Sequence, residues 1–120
     1  MPLISIVDDD ESVRNALKSL IDSVGFRAEV FDSGEKFLNS PYLSQTDCLI
    51  TDVRMSGMSG LELQDRLSAA GRSIPIVFIS AHDDNEARAR GLRAGAIDFL
   101  QKPFSEDSLL GAISVCLDKS

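Results

Sequence analysis

Short β-branched and apolar runs alternate along this chain with longer stretches whose apolar residues recur at helical spacing. Leu3-Ile-Ser-Ile-Val7 has the character of a strand, and behind it Val13, Ala16, Leu17, Leu20, Ile21 and Val24 fall on one helical face. Gly25 suits the position just past a helix end. Arg27 to Phe31 then predicts a second strand, and Ser33 to Leu38 a short helix opened by Ser33 or Asp32. After a break at Asn39-Ser-Pro-Tyr42, Cys48 to Thr51 predicts a third strand. Leu61 to Ala70 predicts a third helix stopped by Gly71, and Ile74 to Ile79 a fourth strand. Asn85 to Ala94 predicts a fourth helix whose apolar stripe holds only Ala87, Gly91, Leu92 and Ala94, so little burial is expected to fix it. Ala96 to Leu100 predicts the fifth strand, and a last helix carries Leu109, Ala112, Ile113, Cys116 and Leu117 on one face.

Five strand-then-helix units in succession imply a parallel sheet, because parallel neighbours need crossover connections and these are right-handed. The predicted class is a doubly wound α/β domain with helices on both faces of a five-stranded sheet. Its 120 residues suit one domain, 1–120, with no linker or repeat and no residues left over for an output domain. No apolar run is long enough for a membrane span, and the start lacks the basic segment of an export signal. A cytoplasmic protein with no membrane contact is expected. The net charge of −7 disfavours direct binding to nucleic acid. Cys48 and Cys116 lack the spacing of a zinc or redox pair and read as two buried thiols in a reducing compartment.

In an open parallel sheet, ligands sit beyond the carboxyl ends of the strands, where strand order reverses. The first strand ends on Asp8-Asp9-Asp10, the third on Asp52 and the fourth on Ser80, and the fifth leads into Lys102-Pro103. Carboxylates crowded on one rim need protonation, a basic neighbour or a hard cation. Mg²⁺, or Mn²⁺, suits such oxygen donors and commonly joins one or two carboxylates to a phosphate. Asp9, and less directly Asp8, read as metal ligands, whereas Asp10 reads as the cap of the first helix. Asp52 could act as a nucleophile toward phosphorus, with Ser80 donating to a phosphoryl oxygen and Lys102 supplying positive charge. Each of these has a plainer reading as a turn or loop residue. The joint placement on one rim favours the chemical one.

Four stretches, Ile6-Val-Asp-Asp-Asp10, Asp52-Val-Arg-Met-Ser-Gly-Met-Ser-Gly60, Ile79-Ser-Ala81 and Asp98-Phe-Leu-Gln-Lys-Pro-Phe104, together resemble the response-regulator receiver family over residues 3–117. The resemblance implies a flavodoxin-like fold with strand order 2-1-3-4-5 and a two-component signalling switch rather than a conventional enzyme. It implies Asp52 as phosphoacceptor, and Asp8, Asp9, Asp52 and the Arg54 backbone carbonyl around Mg²⁺. Lys102 stands at the family's lysine, followed by an expected cis bond to Pro103. Ser80 and Phe99 match the coupled switch positions, the ring turning inward once the hydroxyl is drawn to phosphate. Arg54 and His82 occupy positions that influence how long the phosphoryl group lasts. Arg54 could shield it or pair with acids, and His82 could orient water or simply face solvent. The implied donor is a sensor histidine kinase or phosphotransfer protein. The implied output face spans residues 84–117, with phosphorylation-dependent homodimerisation, and the motif endings look most like regulators of transcription with helix-turn-helix output domains.

One departure is Ser56, which stands where the family commonly has proline, and predicts a less rigid loop beside Asp52. Two other classes compete. Asp8-Asp-Asp10 followed by Glu11-Ser12 also approximates the motif of a haloacid-dehalogenase-type phosphatase, with Asp8 as nucleophile and Asp10 as acid, although no segment resembles a substrate lid. A flavodoxin-type electron carrier would need a Ser/Thr/Gly-rich phosphate loop where three aspartates stand.

Overall fold

A computed structural model describes residues 2–81 and 84–119. The elements follow the order β1 (Leu3–Val7), α1 (Glu11–Ser23), β2 (Arg27–Phe31), α2 (Gly34–Leu38), β3 (Cys48–Asp52), α3 (Gly60–Ala69), β4 (Ile76–Ser80), α4 (Asn85–Arg93), β5 (Asp98–Gln101) and α5 (Glu106–Lys119), with one 3₁₀ turn at Leu43–Gln45 before β3. All strands are parallel in the order β2-β1-β3-β4-β5. Both the doubly wound class and the expected strand order are therefore present.

The pleat divides the core in two. Ile4, Ile6, Ile50, Val77 and Ile79 face one side and pack with Leu17 and Ile21 of α1 and Leu109, Ile113 and Cys116 of α5. Leu49, Phe78 and Phe99 face the other side, against Phe37 of α2, Leu63 and Leu67 of α3 and Ala87 of α4. Strands β1, β3 and β4 are buried on both faces, which is why they read as nearly continuous apolar runs. Among the described residues no helix is long and apolar enough to cross a membrane.

Several element ends shift from the sequence expectation for local reasons. β4 begins at Ile76, past Pro75, whose nitrogen cannot donate to a ladder. β5 begins at Asp98 because Gly95 takes φ +103° and the Ala96 N–H turns back to the Gly91 carbonyl at 3.0 Å, closing α4. α5 starts at Glu106, a turn earlier than its first apolar residue, with the Ser105 hydroxyl accepting from the Ser108 N–H. Cys48 and Cys116 are both buried as expected, but they are neighbours: a hydrogen bond with Cys116, then burial, drives the Cys48 thiol pKa upward.

The thin apolar stripe of α4 is real, with only Ala87 and Gly91 buried. Gly91, however, is not a weak point. A Cβ there would lie 2.9 Å from the Phe78 ring, so glycine is what lets α4 reach the sheet. The Gly91 carbonyl also accepts from Gln64 Nε2 at 3.0 Å, and Arg90 pairs with Asp65. Close approach and polar ties to α3 hold this helix where apolar area is lacking.

Candidate functional site

The strand order reverses between β1 and β3, and there the carboxyl ends of both strands carry their acids. Asp8 is fully buried, and its Oδ1 accepts the Asp10 N–H at 2.9 Å. Asp52 is 7% exposed, and its Oδ1 accepts the Arg54 N–H at 3.2 Å. Between them lies the Lys102 ammonium, 3.4 Å from Asp8 Oδ2 and 3.1 Å from Asp52 Oδ2. The lysine is placed by its own backbone, whose N–H donates to the Ser80 carbonyl at 2.7 Å, ahead of a cis bond to Pro103. Three strands thus deliver one compact charge cluster.

Its electrostatics follow from burial. Burial raises the Asp8 pKa, opposed by the Asp10 amide; the Asp52 charge pushes it further up, and Lys102 offsets part of this. Burial alone would lower Lys102, but the two carboxylates outweigh it and hold the ammonium protonated beyond its ordinary range. Two carboxylates facing one ammonium leave the cluster in excess of negative charge. That donor set, all oxygen and short of positive charge, fits a hard divalent cation.

Asp9 is exposed and points elsewhere. Its Oδ2 accepts from the Ser56 N–H at 3.0 Å and lies 3.4 Å from the Ser56 hydroxyl. Among the described residues no three Asp, Glu, His or Cys side chains converge closely enough to hold a metal as they stand. Asp8 and Asp52 converge, and the third carboxylate is turned to the β3–α3 loop. The loop expected to be looser because of Ser56 is instead tied down by that residue, using an N–H that proline lacks.

Asp10 caps α1, accepting from the Ser12 N–H at 2.9 Å and its hydroxyl at 2.7 Å, as the sequence implied. So engaged, it is poorly placed as the acid of a phosphatase. Ser80 is fully buried at the end of β4, one residue past Ile79, which pairs in register with Asp52. Phe99 is 4% exposed with its ring 6.1 Å from that of Phe78, so the aromatic ring expected to turn inward already lies inside. His82 lies outside the described residues.

Two features here escaped the sequence reading, and a third was foreseen only in kind, as an acid partner for Arg54. Gly60 lets α3 start against the end of β3, since a Cβ at that position would lie 2.1 Å from the Asp52 carbonyl oxygen. Ser56 holds Asp9 from 47 residues away. The Arg54 guanidinium pairs with Asp84, the N-cap of α4. The cap itself could have been found, because Asp84 directly precedes the predicted helix. The pairing of Arg54 and Asp84 across 30 residues has no local signal.

Comparison with known proteins agrees with this fold. The family model described as "Response regulator receiver domain" matches residues 4–114. The response regulator protein TmoT of Ectopseudomonas mendocina is 50% identical over 115 residues, covering 96% of this chain and 52% of that protein. The transcriptional regulatory protein FixJ of Bradyrhizobium diazoefficiens is 40% identical over 111 residues, covering 92% and 54%. Among solved structures, the response regulator StyR superposes with a TM-score of 0.92 at 49% identity, covering 98% of this chain and 60% of that one. FixJ-N superposes with a TM-score of 0.91 at 33% identity, covering 100% and 96%. The chain spans about half the length of the curated relatives it matches. On the fold, the rim of acids and this match together, the chain belongs to the response regulator receiver domains of two-component signalling.

Proposed function

We propose that this domain is a phosphoacceptor switch whose Asp52 takes a phosphoryl group from a sensor histidine kinase or phosphotransfer protein. The observation that carries the reading is the Lys102 ammonium bridging Asp8 and Asp52 at the strand-order reversal. A carboxylate oxygen of Asp52 bonds to phosphorus while the P–N bond of the phosphohistidine breaks, its electron pair leaving with the imidazole. Lys102 stands ready to exchange one carboxylate for a phosphoryl oxygen, and Ser80 to donate its hydroxyl. Asp8, Asp9, Asp52 and the Arg54 backbone carbonyl are the groups that would hold Mg²⁺ or Mn²⁺. The chemistry such a cation supplies when bound is charge neutralisation on nucleophile and phosphoryl oxygens.

An apolar groove of about 430 Å³ lies beside Lys102, lined by Val13, Ala16, Leu20 and Phe104, and offers the donor protein a seat next to the acceptor. The output is read as a change in the 84–117 face, controlling transcription through an output domain like that of the longer relatives. In this face α4 exposes Arg88, Arg90 and Arg93, whereas Glu106 and Asp107 open α5. Opposite charges so arranged on one surface favour a two-fold homodimer after phosphorylation. Because Phe99 is already buried, the change is assigned to the Ser80 hydroxyl and the start of α4 rather than to a large swing of that ring.

Incubation with a small phosphodonor and Mg²⁺, followed by mapping of the label, tests the reading. Label is expected on Asp52 and lost in Asp52→Asn. Label on Asp8, or labelling of Asp52→Asn at the wild-type extent, would overturn it.

A further inference from the structure

Arg54 lies two residues past the acceptor, with its N–H on Asp52 Oδ1 at 3.2 Å, so its backbone is fixed beside the carboxylate. Its side chain is 59% exposed and reaches across to Asp84, in the loop that follows β4. Arg54 thus links the segment after β3 to the start of α4, which follows β4, and β3 and β4 are neighbours in the sheet. Asp84 divides its two oxygens. Oδ1 accepts the Ala87 N–H at 3.0 Å and caps α4, and Oδ2 takes the guanidinium. The cap fixes the carboxylate, and the fixed carboxylate fixes the arginine.

A phosphoryl group on Asp52 would place a second anion within the compass of the same guanidinium. Arginine binds phosphoryl oxygens through paired N–H donors, and a guanidinium lying on them crowds the approach of water to phosphorus. In hydrolysis the water oxygen bonds to phosphorus, the bond from phosphorus to the Asp52 oxygen breaks, and the water proton leaves with inorganic phosphate. Whichever anion holds Arg54 therefore decides how open that line is.

Resting on the phosphoacceptor reading, we propose that Asp84 is a positioning residue that holds the Arg54 guanidinium at the start of α4 and so shortens the life of the phosphoryl group on Asp52. The same competition links the acceptor to the output face. When Arg54 turns to the phosphoryl oxygens, α4 keeps its cap and loses its tether to the acceptor loop.

The test uses the full chain, labelled with a small phosphodonor in Mg²⁺, freed of donor and followed as the label decays. Asp84→Asn and Asp84→Ser both preserve a capping oxygen and remove the charge. Each is expected to lengthen the half-life by about two- to fivefold, the scale set by an exposed ion pair. Exchange of the Ala87 amide should stay as in the wild type, showing that the cap and the helix are intact. In an Arg54→Gln background, Asp84→Asn should change nothing. An unchanged or shortened half-life in both single variants overturns the proposal, and so does an equal lengthening when Arg54 is already gone. A wild-type chain that takes no label at Asp52 sinks the phosphoacceptor reading itself, a result separate from any of these.

Discussion

Replacing Gly60 with alanine tests how closely helix α3 is fitted to Asp52. The added Cβ would lie 2.1 Å from the Asp52 carbonyl oxygen, 3.0 Å from its carbonyl carbon and 3.2 Å from Phe78 Cε1. Ordinary contacts between such atoms begin near ~3.5 Å, so the helix start or the Asp52 backbone must retreat by more than about 1 Å. No rotamer change relieves a clash between backbone atoms. The retreat would strain the Gly60 N–H bond to the Val53 carbonyl, 2.9 Å, and the capping box between Ser59 and Glu62. Overpacking costs about 1–3 kcal/mol and a lost hydrogen bond about 1 kcal/mol, less a few tenths regained in helix propensity at this first helical position, for a net loss of about 2–4 kcal/mol. For a domain of this size the melting temperature should fall by roughly 8–16 °C, read by circular dichroism or calorimetry. Gly111 is the control: it is exposed in α5 with nothing within 4 Å of a new Cβ, so alanine there should stabilise by about 0.5–1 kcal/mol. A Gly60→Ala protein melting within about 2 °C of the wild type would refute the argument for a rigid close approach.

Gly91→Ala should be milder, destabilising by about 1–2 kcal/mol with faster amide exchange in α4, because the atoms met at 2.9 and 3.1 Å belong to the Phe78 ring and can shift; wild-type exchange would show the contact to be slack. Asp8→Asn should raise the melting temperature at pH 7. The folded-state pKa of Asp8 is raised, so its ionised form opposes folding above that value, and the gain should shrink as pH falls toward the ordinary aspartate range. A gain that grows on acidification would reverse the assigned sign. Ser56→Pro removes both donors that hold the Asp9 carboxylate and should tighten Mg²⁺ binding several-fold in calorimetric titration. Equal or weaker binding would refute a competition between Ser56 and the cation for the Asp9 carboxylate.

Alternation of pattern was enough to place every strand and α-helix, though not the 3₁₀ turn before β3, because β1, β3 and β4 are buried on both faces and the helices on one. The rim of acids was legible for the same reason: Asp8 and Asp52 end apolar strands, and the parallel order sends those ends to one side. What escaped depends on distances between elements. Gly60 stood at the end of a motif stretch and Gly91 on the thin stripe of the fourth helix, and only the approach of a backbone or a ring shows why a Cβ is excluded. Cys48 and Cys116 fit two separate core positions equally well until β3 and α5 are packed. Ser56 read as a loosened loop because only its departure from proline was visible, not the amide it gains.

The ammonium of Lys102, set between Asp8 and Asp52, gives the cluster an internal counter-ion. Zinc fingers and many other small metal-held domains unfold when the metal is withdrawn, since binding energy and folding energy are then the same quantity. Here the covalent chain carries part of the neutralising charge with it. Part of the charge that balances Asp8 and Asp52 is thereby built into the fold itself, through a residue delivered by the fifth strand.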